Sequence, residues 1–518
     1  MYIIAIYFTL LNYKINIFFC KFVDITISEN HFYGLTMSII KNVKSFSKQF
    51  WLVNSIQTIE RLAYWIVLLQ MPVYIAQKDI VGGLHWEQSI KGLIFFWWAL
   101  VQNISPVIMG GLVDRFGRKK IMFCTSILII LGFLLLSEIR TFYPFLFSTM
   151  LLGLGMGVFK PALQGEVSKQ IDSRNNNSSL GWGIYVTFVN IAYFLGPTFS
   201  VALKNISWSW IFYGSAIVHS INLILIFFVE NDNIIKNKTK SFFNIVKESI
   251  EILKDTLRNL FKPEIITFLL LITGFTINHM QFYETLPNFV SDWTDTSALA
   301  NYVSQFMLKE TNRGIMISFE WIYNINSMML LLFVALSSYL TRNKNLLRMC
   351  SIGMIMVAVG LFIAGNTMNG GLLIAGVFML GIGEILITPR ISEYFSLLAT
   401  QNNRSQYLGY ANLAWTFGLS GGGIIGGYLY QHLGEKSSFA IKYLENNFGI
   451  TDITHTDALN ILCTQTGLNE TAVTRLLWDI YHPYYFWLPF LIMGLLGGIG
   501  LIIFSYRKNK KKQNRRFC

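Results

Sequence analysis

The sequence predicts an all-α membrane protein of twelve transmembrane helices arranged as two halves of six. Three observations predict it: the composition, a ladder of apolar runs long enough to cross a bilayer, and an uneven spread of Lys and Arg among the connections. Of 518 residues, 53% are hydrophobic and 13% charged, and the mean hydropathy is +0.47. A soluble domain carries about 25% charged residues. The net charge of +13 does not indicate a nucleic-acid partner. The basic residues stand in short clusters between apolar runs, which is a topological pattern.

A hydrocarbon core about 30 Å thick takes roughly 20 helical residues. Runs of that kind lie near 51–77, 89–112, 121–138, 143–166, 179–203 and 208–229. Six more lie near 264–290, 315–341, 346–365, 370–399, 407–430 and 484–506. The chain therefore divides into an N-terminal segment 1–50, a first bundle 51–229, a linker 230–263, a second bundle 264–506 and a basic tail 507–518. The linker carries Phe242, Phe243, Val246, Ile250, Leu253, Leu257 and Leu260 at helical spacing, which predicts an amphipathic helix. Residues before Met37 add an apolar stretch that the 6 + 6 plan does not need, and a start at Met37 is the expectation. The connection 431–482 has a helical apolar pattern and is expected to be partly ordered.

Lys and Arg fix the expected orientation. The connections on the side of the two termini hold 24 basic residues and those on the opposite side hold 8. The positive-inside rule then puts both termini and the linker in the cytoplasm of a multi-pass cell-membrane protein. No Cys, His or Asp spacing suggests a metal or a disulfide, and no phosphate loop or nucleophile elbow suggests an enzyme or a pump driven by ATP. No cofactor is expected, the surroundings are lipid, and the chain is expected to be a monomer.

One connection carries a specific string: Gly110, Leu112, Asp114, Arg115, Gly117, Arg118, Lys119 and Lys120, in the order G-x-L-x-D-R-x-G-R-K-K. Glycines allow a tight turn, and Arg115 and Arg118 can pair with carboxylates or helix C-termini. The string resembles the signature of the major facilitator superfamily, and the resemblance extends from about 50 to 506. It implies two pseudo-symmetric bundles that rock about a central site, with Gly110, Asp114, Arg115, Gly117 and Arg118 as a cytoplasmic latch.

A charged side chain at mid-bilayer costs roughly 2.5–3.5 kcal/mol, so each one is a functional candidate. The candidates are Glu60, Arg61, Lys160, Glu166, Glu284, Glu320, Glu384, Arg390 and Glu393. Glu166, Glu320, Arg390 and Glu393 lie near helix ends and are expected to snorkel. Gln57, Glu60, Arg61 and Tyr64 share one helix face by their i, i+3, i+4, i+7 spacing. Lys160 lies at similar depth, so an ion pair with Glu60 is expected.

The segment Gln57-Thr-Ile-Glu60-Arg61-Leu-Ala-Tyr64-Trp65 resembles the E-x-x-E-R-F-x-Y-Y motif of the proton-dependent oligopeptide transporter family. Gly153, Gly155, Gly157, Lys160 and Pro161 resemble its glycine-rich fourth helix. Asn190, Asn326 and Gly383-Glu384 with Pro389 resemble positions in its fifth, eighth and tenth helices. The resemblance implies that Arg61 and Lys160 take a peptide carboxylate and Glu384 an amino terminus, with Tyr64, Asn190 and Asn326 lining the site. It also implies proton coupling through the first glutamate of the motif, where this chain has Gln57, so Glu60 and Glu284 are the proton-coupling candidates here. The chain departs from the family at Gln57, at Trp65, and at Leu68, which replaces the arginine partner of Glu284. Glu284 is therefore expected to be an unpaired buried carboxylate and a proton carrier. His279 is about 140° from Glu284 around the helix, and a hydrogen-bonded structural role is expected for it.

The expected activity is secondary active transport by alternating access, coupled to protons and moving di- or tripeptides or another small zwitterion inward. An exporter or uniporter of an unrelated small molecule is the alternative. A receptor or a membrane enzyme has no supporting motif.

Overall fold

Ser47 opens the first helix, its hydroxyl accepting from the Phe50 N–H at 3.1 Å, an N-cap that satisfies one of the free amides of the first turn. Helix α1 (Lys48–Leu68) is followed after one break by α2 (Met71–Ala76). Pro72 sits at the start of α2 and has no N–H to offer the preceding turn. The next four helices are α3 (Gln88–Phe116), α4 (Arg118–Glu138), α5 (Phe142–Asp172) and α6 (Ser178–Lys204), and α7 (Trp208–Phe227) ends the first half. The computed structural model describes residues 45–172, 178–231, 258, 261–341, 344–398 and 404–517. The segment before Met37 and most of the linker 230–263, with its expected amphipathic helix, lie outside these residues.

The second half repeats the plan. Helix α8 (Pro263–Glu284) breaks before α9 (Leu286–Trp293), again with a proline, Pro287, in the first turn beyond the break. The later helices are α10 (Phe319–Leu340), α11 (Leu346–Gly365), α12 (Gly370–Leu398) and α13 (Arg404–Leu433). Three shorter helices follow, α14 (Lys436–Phe448), α15 (Ala458–Thr466) and α16 (Glu470–Tyr481), and then α17 (Leu488–Phe517). A helix thus covers each of the twelve apolar runs, and α14–α16 give the order expected of 431–482. Among the described residues, nine helices are long and apolar enough to cross a membrane.

Three run boundaries need correction. The runs 51–77 and 264–290 are each two helices, because Pro72 and Pro287 interrupt the backbone ladder. The run from 315 does not start as a helix. Residues Leu308–Thr311 (β1) and Gly314–Ile317 (β2) form an antiparallel hairpin, turned at Gly314 with φ +113, and α10 begins only at Phe319.

Packing shows the twofold relation of the halves. In the first, α1 packs on α6 and α7, α3 on α5, and α4 on α5 and α7. In the second, α8 packs on α13 and α17, α10 on α12, and α11 on α12 and α17. The halves meet through α3 with α13 and α6 with α10. At the first of these seams a Cβ on Gly92 would lie 2.3 Å from the Gly423 carbonyl oxygen, and one on Gly427 would lie 2.4 Å from that of Gln88. Only glycine permits backbones to approach so closely.

Candidate functional site

Two clusters of polar groups face each other across the seam between the halves. On α1, Arg61 grips Glu60 in a two-pronged contact, Nε and Nη2 each 2.5 Å from a carboxylate oxygen. The guanidinium also lies 4.8 Å from the centre of the Tyr64 ring, a cation–π contact. Tyr64 packs edge-on to Trp98 of α3. The expected Glu60–Lys160 pair is absent. Among the described residues Lys160 makes no hydrogen bond and no ion pair within 4 Å, and Glu60 is held by Arg61 alone. Adjacent side chains on one helix turn satisfy each other and leave the α5 ammonium uncommitted.

On the other side, Glu384 of α12 accepts from Asn326 Nδ2 of α10 at 2.9 Å. The same amide group donates to Tyr193 Oη of α6 at 3.1 Å, and Tyr193 meets Tyr283 of α8 at 2.5 Å. Trp65 stacks obliquely on Tyr193 at 4.4 Å between ring centres. An unbroken line therefore runs from α1 through Trp65, Tyr193 and Asn326 to Glu384. It joins Tyr64, whose ring meets that of Trp65 at 5.2 Å, to Asn326 and Glu384. Asn190 is buried on α6, and among the described residues no hydrogen bond joins it to the others.

The sequence predicts a hydrogen-bonded structural His279 turned away from Glu284, but its Nδ1 is buried without a hydrogen bond. The carboxylate it meets is instead Glu384, with Nδ1 3.6 Å from Oε1. The helix turns its ring away from Glu284, as the five-residue spacing requires.

Glu284 also differs from expectation. It is not unpaired: Lys91 of α3 lies 3.9 Å from its Oε1, and both side chains are wholly buried. The Lys91 ammonium donates to the Glu284 carbonyl at 2.9 Å and to Asn288 Oδ1 at 3.1 Å. A cation from a different helix thus stands where Leu68 supplies none. Lys91 is absent from the sequence-derived candidates. Its place near the start of an apolar run is the signal that finds it.

The four charges expected to snorkel are paired instead. Glu166 is 1% exposed and lies 3.6 Å from Arg118 and 3.5 Å from Lys169. Glu320 accepts from Gln70 at 2.7 Å and from Lys204 at 3.2 Å. Arg390 binds Glu393 and donates to Thr341 at 2.6 Å. Glu166, Glu320 and Arg390 are buried with partners and have no need to stretch toward water, while the Glu393 side chain, 41% exposed, keeps access to it.

Around the loop string, Gly117 adopts φ +87 and joins α3 to α4 in one residue, a conformation that favours glycine. Arg118 reaches Glu166, and Lys119 donates to the Phe227 and Val229 carbonyls at 2.8 and 2.6 Å, completing the C-terminus of α7. The side chains of Asp114 and Arg115, and Gly110 apart from its place in α3, lie outside the described residues.

Beyond mid-depth, toward the end of the bundle opposite the start of α1, further bonds tie the halves together. Gln77 donates to Asp292 at 2.8 Å, and Asn288 donates to the Pro72 carbonyl and to Gln77. The Ser89 N–H donates to Gln431 Oε1 at 3.1 Å. Lys78 lies 4.0 Å from Glu435. Within the second half, Tyr430 donates to Asp292 at 2.7 Å. Asp292 stands beyond the membrane-spanning part of its helix, and burial pushes its carboxyl up to about 6 despite Lys436 nearby. Among the described residues, the hydrogen bonds and ion pairs between halves all lie at mid-depth or toward this end, which is closed.

Comparison with known proteins accords with this architecture. The chain is similar to an uncharacterized transporter YclF of Bacillus subtilis (strain 168), 24% identical over 29% of this chain and 30% of that protein. It is also similar to a multidrug resistance protein MdtH of Blochmanniella pennsylvanica (strain BPEN), 20% identical over 78% of this chain and 90% of that one. The match to YclF thus spans under a third of that protein's length. Among solved structures, a peptide transporter POT in complex with sulfate superposes with a TM-score of 0.63 at 15% identity, over 89% of this chain and 94% of that one. A POT family transporter in complex with 5-aminolevulinic acid superposes with a TM-score of 0.59 at 17% identity, over 84% and 96%. The family model described as Major Facilitator Superfamily matches residues 54–423, and the chain belongs to that superfamily of membrane transporters.

Proposed function

We propose that this transporter moves a small zwitterion, a di- or tripeptide or a molecule of similar charge pattern, by proton-coupled alternating access. The observation that carries the reading is the division of charge across the seam. Arg61 and the uncommitted Lys160 belong to the first half, and Glu384 belongs to the second. A zwitterion between them brings a carboxylate to the cations and an ammonium to the anion, and so rewards closure of the halves around it. Arg61, Tyr64 and Lys160 take the carboxylate end, and Glu384 with Asn326 takes the amino end, with Asn190 on the wall. Glu60 and Glu284 are the proton-carrying candidates, each released when its cation is drawn elsewhere. The likeness to peptide transporter structures supports this choice of solute.

With both termini in the cytoplasm, as the basic residues predict, the closed end is exterior. Asp114, Arg115 and Arg118 with Gly110 and Gly117 then act as the cytoplasmic latch of the opposite form. Reconstitution into proteoliposomes with a dipeptide panel and an imposed pH gradient tests the function. Accumulation of a dipeptide that requires the acidic exterior supports it. Dipeptide transport that ignores the gradient contradicts the coupling. The match to a multidrug resistance protein over most of the chain favours a second reading, export of a different small molecule. Outward movement of lipophilic cations with no peptide transport would establish that reading instead.

A further inference from the structure

We infer that His279 and Glu384 form a two-residue site that holds either one proton or one solute ammonium group, never both. The inference rests on the reading of Glu384 as the amino-end partner. Glu384 Oε2 is engaged by Asn326, while Oε1 takes no hydrogen bond among the described residues and points toward His279 Nδ1 at 3.6 Å. That ring nitrogen is buried and has no hydrogen-bond partner. A buried polar atom without a partner is costly, and a movement of a few tenths of an ångström toward Oε1 satisfies it.

The ring is fixed by its surroundings. Tyr283, Trp415 and Phe275 pack around it with centroid distances of 4.6, 4.9 and 5.7 Å. Tyr283 is the phenol that faces it directly, with Tyr193 and Tyr323 behind. Helices α11, α13 and α17 also pack on α8, and among the described residues none of them forms an ion pair with His279. Nδ1 therefore has one titratable partner within ion-pair distance, the Glu384 carboxylate.

The charge count gives the exclusion. With one proton added to neutral His279 and ionised Glu384, the pair has no net charge, and the proton rests on Oε1 with Nδ1 as its acceptor. With no proton, the pair is an anion that an ammonium group neutralises. Adding both would leave a net positive charge in a buried setting where, among the described residues, no second carboxylate stands within ion-pair distance of His279, so arrival of the ammonium sends the proton to solvent. Arrival of a proton likewise frees the ammonium, which makes the pair a release switch at the amino end of the site. His279 is a positioning residue here: it places the proton on Glu384.

The pairing can be tested whatever solute is carried. Infrared difference spectra of the lipid-reconstituted protein between pH 5 and 8 should show a carboxylic C=O band that is absent in Glu384→Gln. In His279→Asn, which keeps an amide near the Nδ1 position without its titration, the midpoint of that band should move by at least about one pH unit. An unmoved midpoint overturns the pairing. Adding alanyl-alanine at a pH where the band is present should abolish the band and release about one proton per protein, read with a pH-indicator dye. A dipeptide that binds and leaves the band intact overturns the exclusion. If dipeptides do not bind at any pH, the peptide reading fails, while the band shift in His279→Asn still decides the pairing.

Discussion

Lys91 on α3 and Glu284 on α8 join the two halves of the protein through a wholly buried ion pair, 3.9 Å from nitrogen to oxygen. The lysine is held further by the Glu284 carbonyl and by Asn288. Removing one member of a buried pair leaves an uncompensated charge, at about 3–5 kcal/mol. Lys91→Met should therefore lower the thermal midpoint in detergent markedly, and Lys91→Met with Glu284→Gln should regain most of the loss. If the double variant is as unstable as the single one, the pair is not the source of the effect.

Lys160 and Glu60 should separate in their effects. Lys160 makes no hydrogen bond or ion pair among the described residues, so Lys160→Ala should change stability by less than about 1 kcal/mol while reducing solute affinity tenfold or more. Glu60→Ala strips Arg61 of its two-pronged partner and should lose both stability and transport. Thermal unfolding beside equilibrium binding of a labelled dipeptide checks the contrast. Equal destabilisation by the two substitutions would contradict the geometry.

Asp292 gives the closed end a pH dependence with a definite sign. Its carboxyl sits at about 6 in the closed form, raised chiefly by burial, against about 4 for a hydrated aspartate. Protonation therefore favours closure. That contribution is complete below about pH 4 and is lost as the pH rises through about 6. A cysteine introduced at Leu68 should react with an impermeant maleimide about tenfold faster at pH 7 than at pH 4.5 after each rate is divided by that of a free thiol at the same pH, because the thiolate is the reacting form, and Asp292→Asn should flatten this normalised profile.

The α3–α13 seam has no room for a methyl group. A Cβ at Gly92 would press on the Gly423 carbonyl at 2.3 Å, so Gly92→Ala must push the backbones apart. Transport should fall by about tenfold or more with the protein still inserted in the membrane, measured as initial uptake per molecule reconstituted. Gly421, with nothing within 4 Å of an added Cβ, should accept alanine with unchanged uptake.

Much of this fold was legible because membrane helices announce themselves by length and composition. The twelve apolar runs and the Gly117 turn follow from local rules that need no tertiary information. The breaks at Pro72 and Pro287 were also visible as prolines, yet continuous apolarity concealed that two helices lay within one run. Side-chain partnership was much less legible. Arg61 and Glu60 are neighbours on one helix, yet the partner expected for Glu60 was Lys160. Lys91 with Glu284 and His279 with Glu384 join residues 193 and 105 positions apart in the chain, and only packing decides which helix faces which. The chemistry of each residue was evident, while its counterpart was not.

The two proline breaks have a mechanical consequence. Beyond each one lies a short stiff rod, α2 with six residues and α9 with eight, and the Asn288 side chain clips one rod to the carbonyl of Pro72 on the other. At 1.5 Å per residue these rods are about 9 and 12 Å long, so a swing of about 20° at the proline carries each tip through roughly 3–4 Å. That is farther than a hydrogen bond can stretch. The far end can therefore unfasten bond by bond, with small pivots at two points, while the long helices beneath hold their tilt.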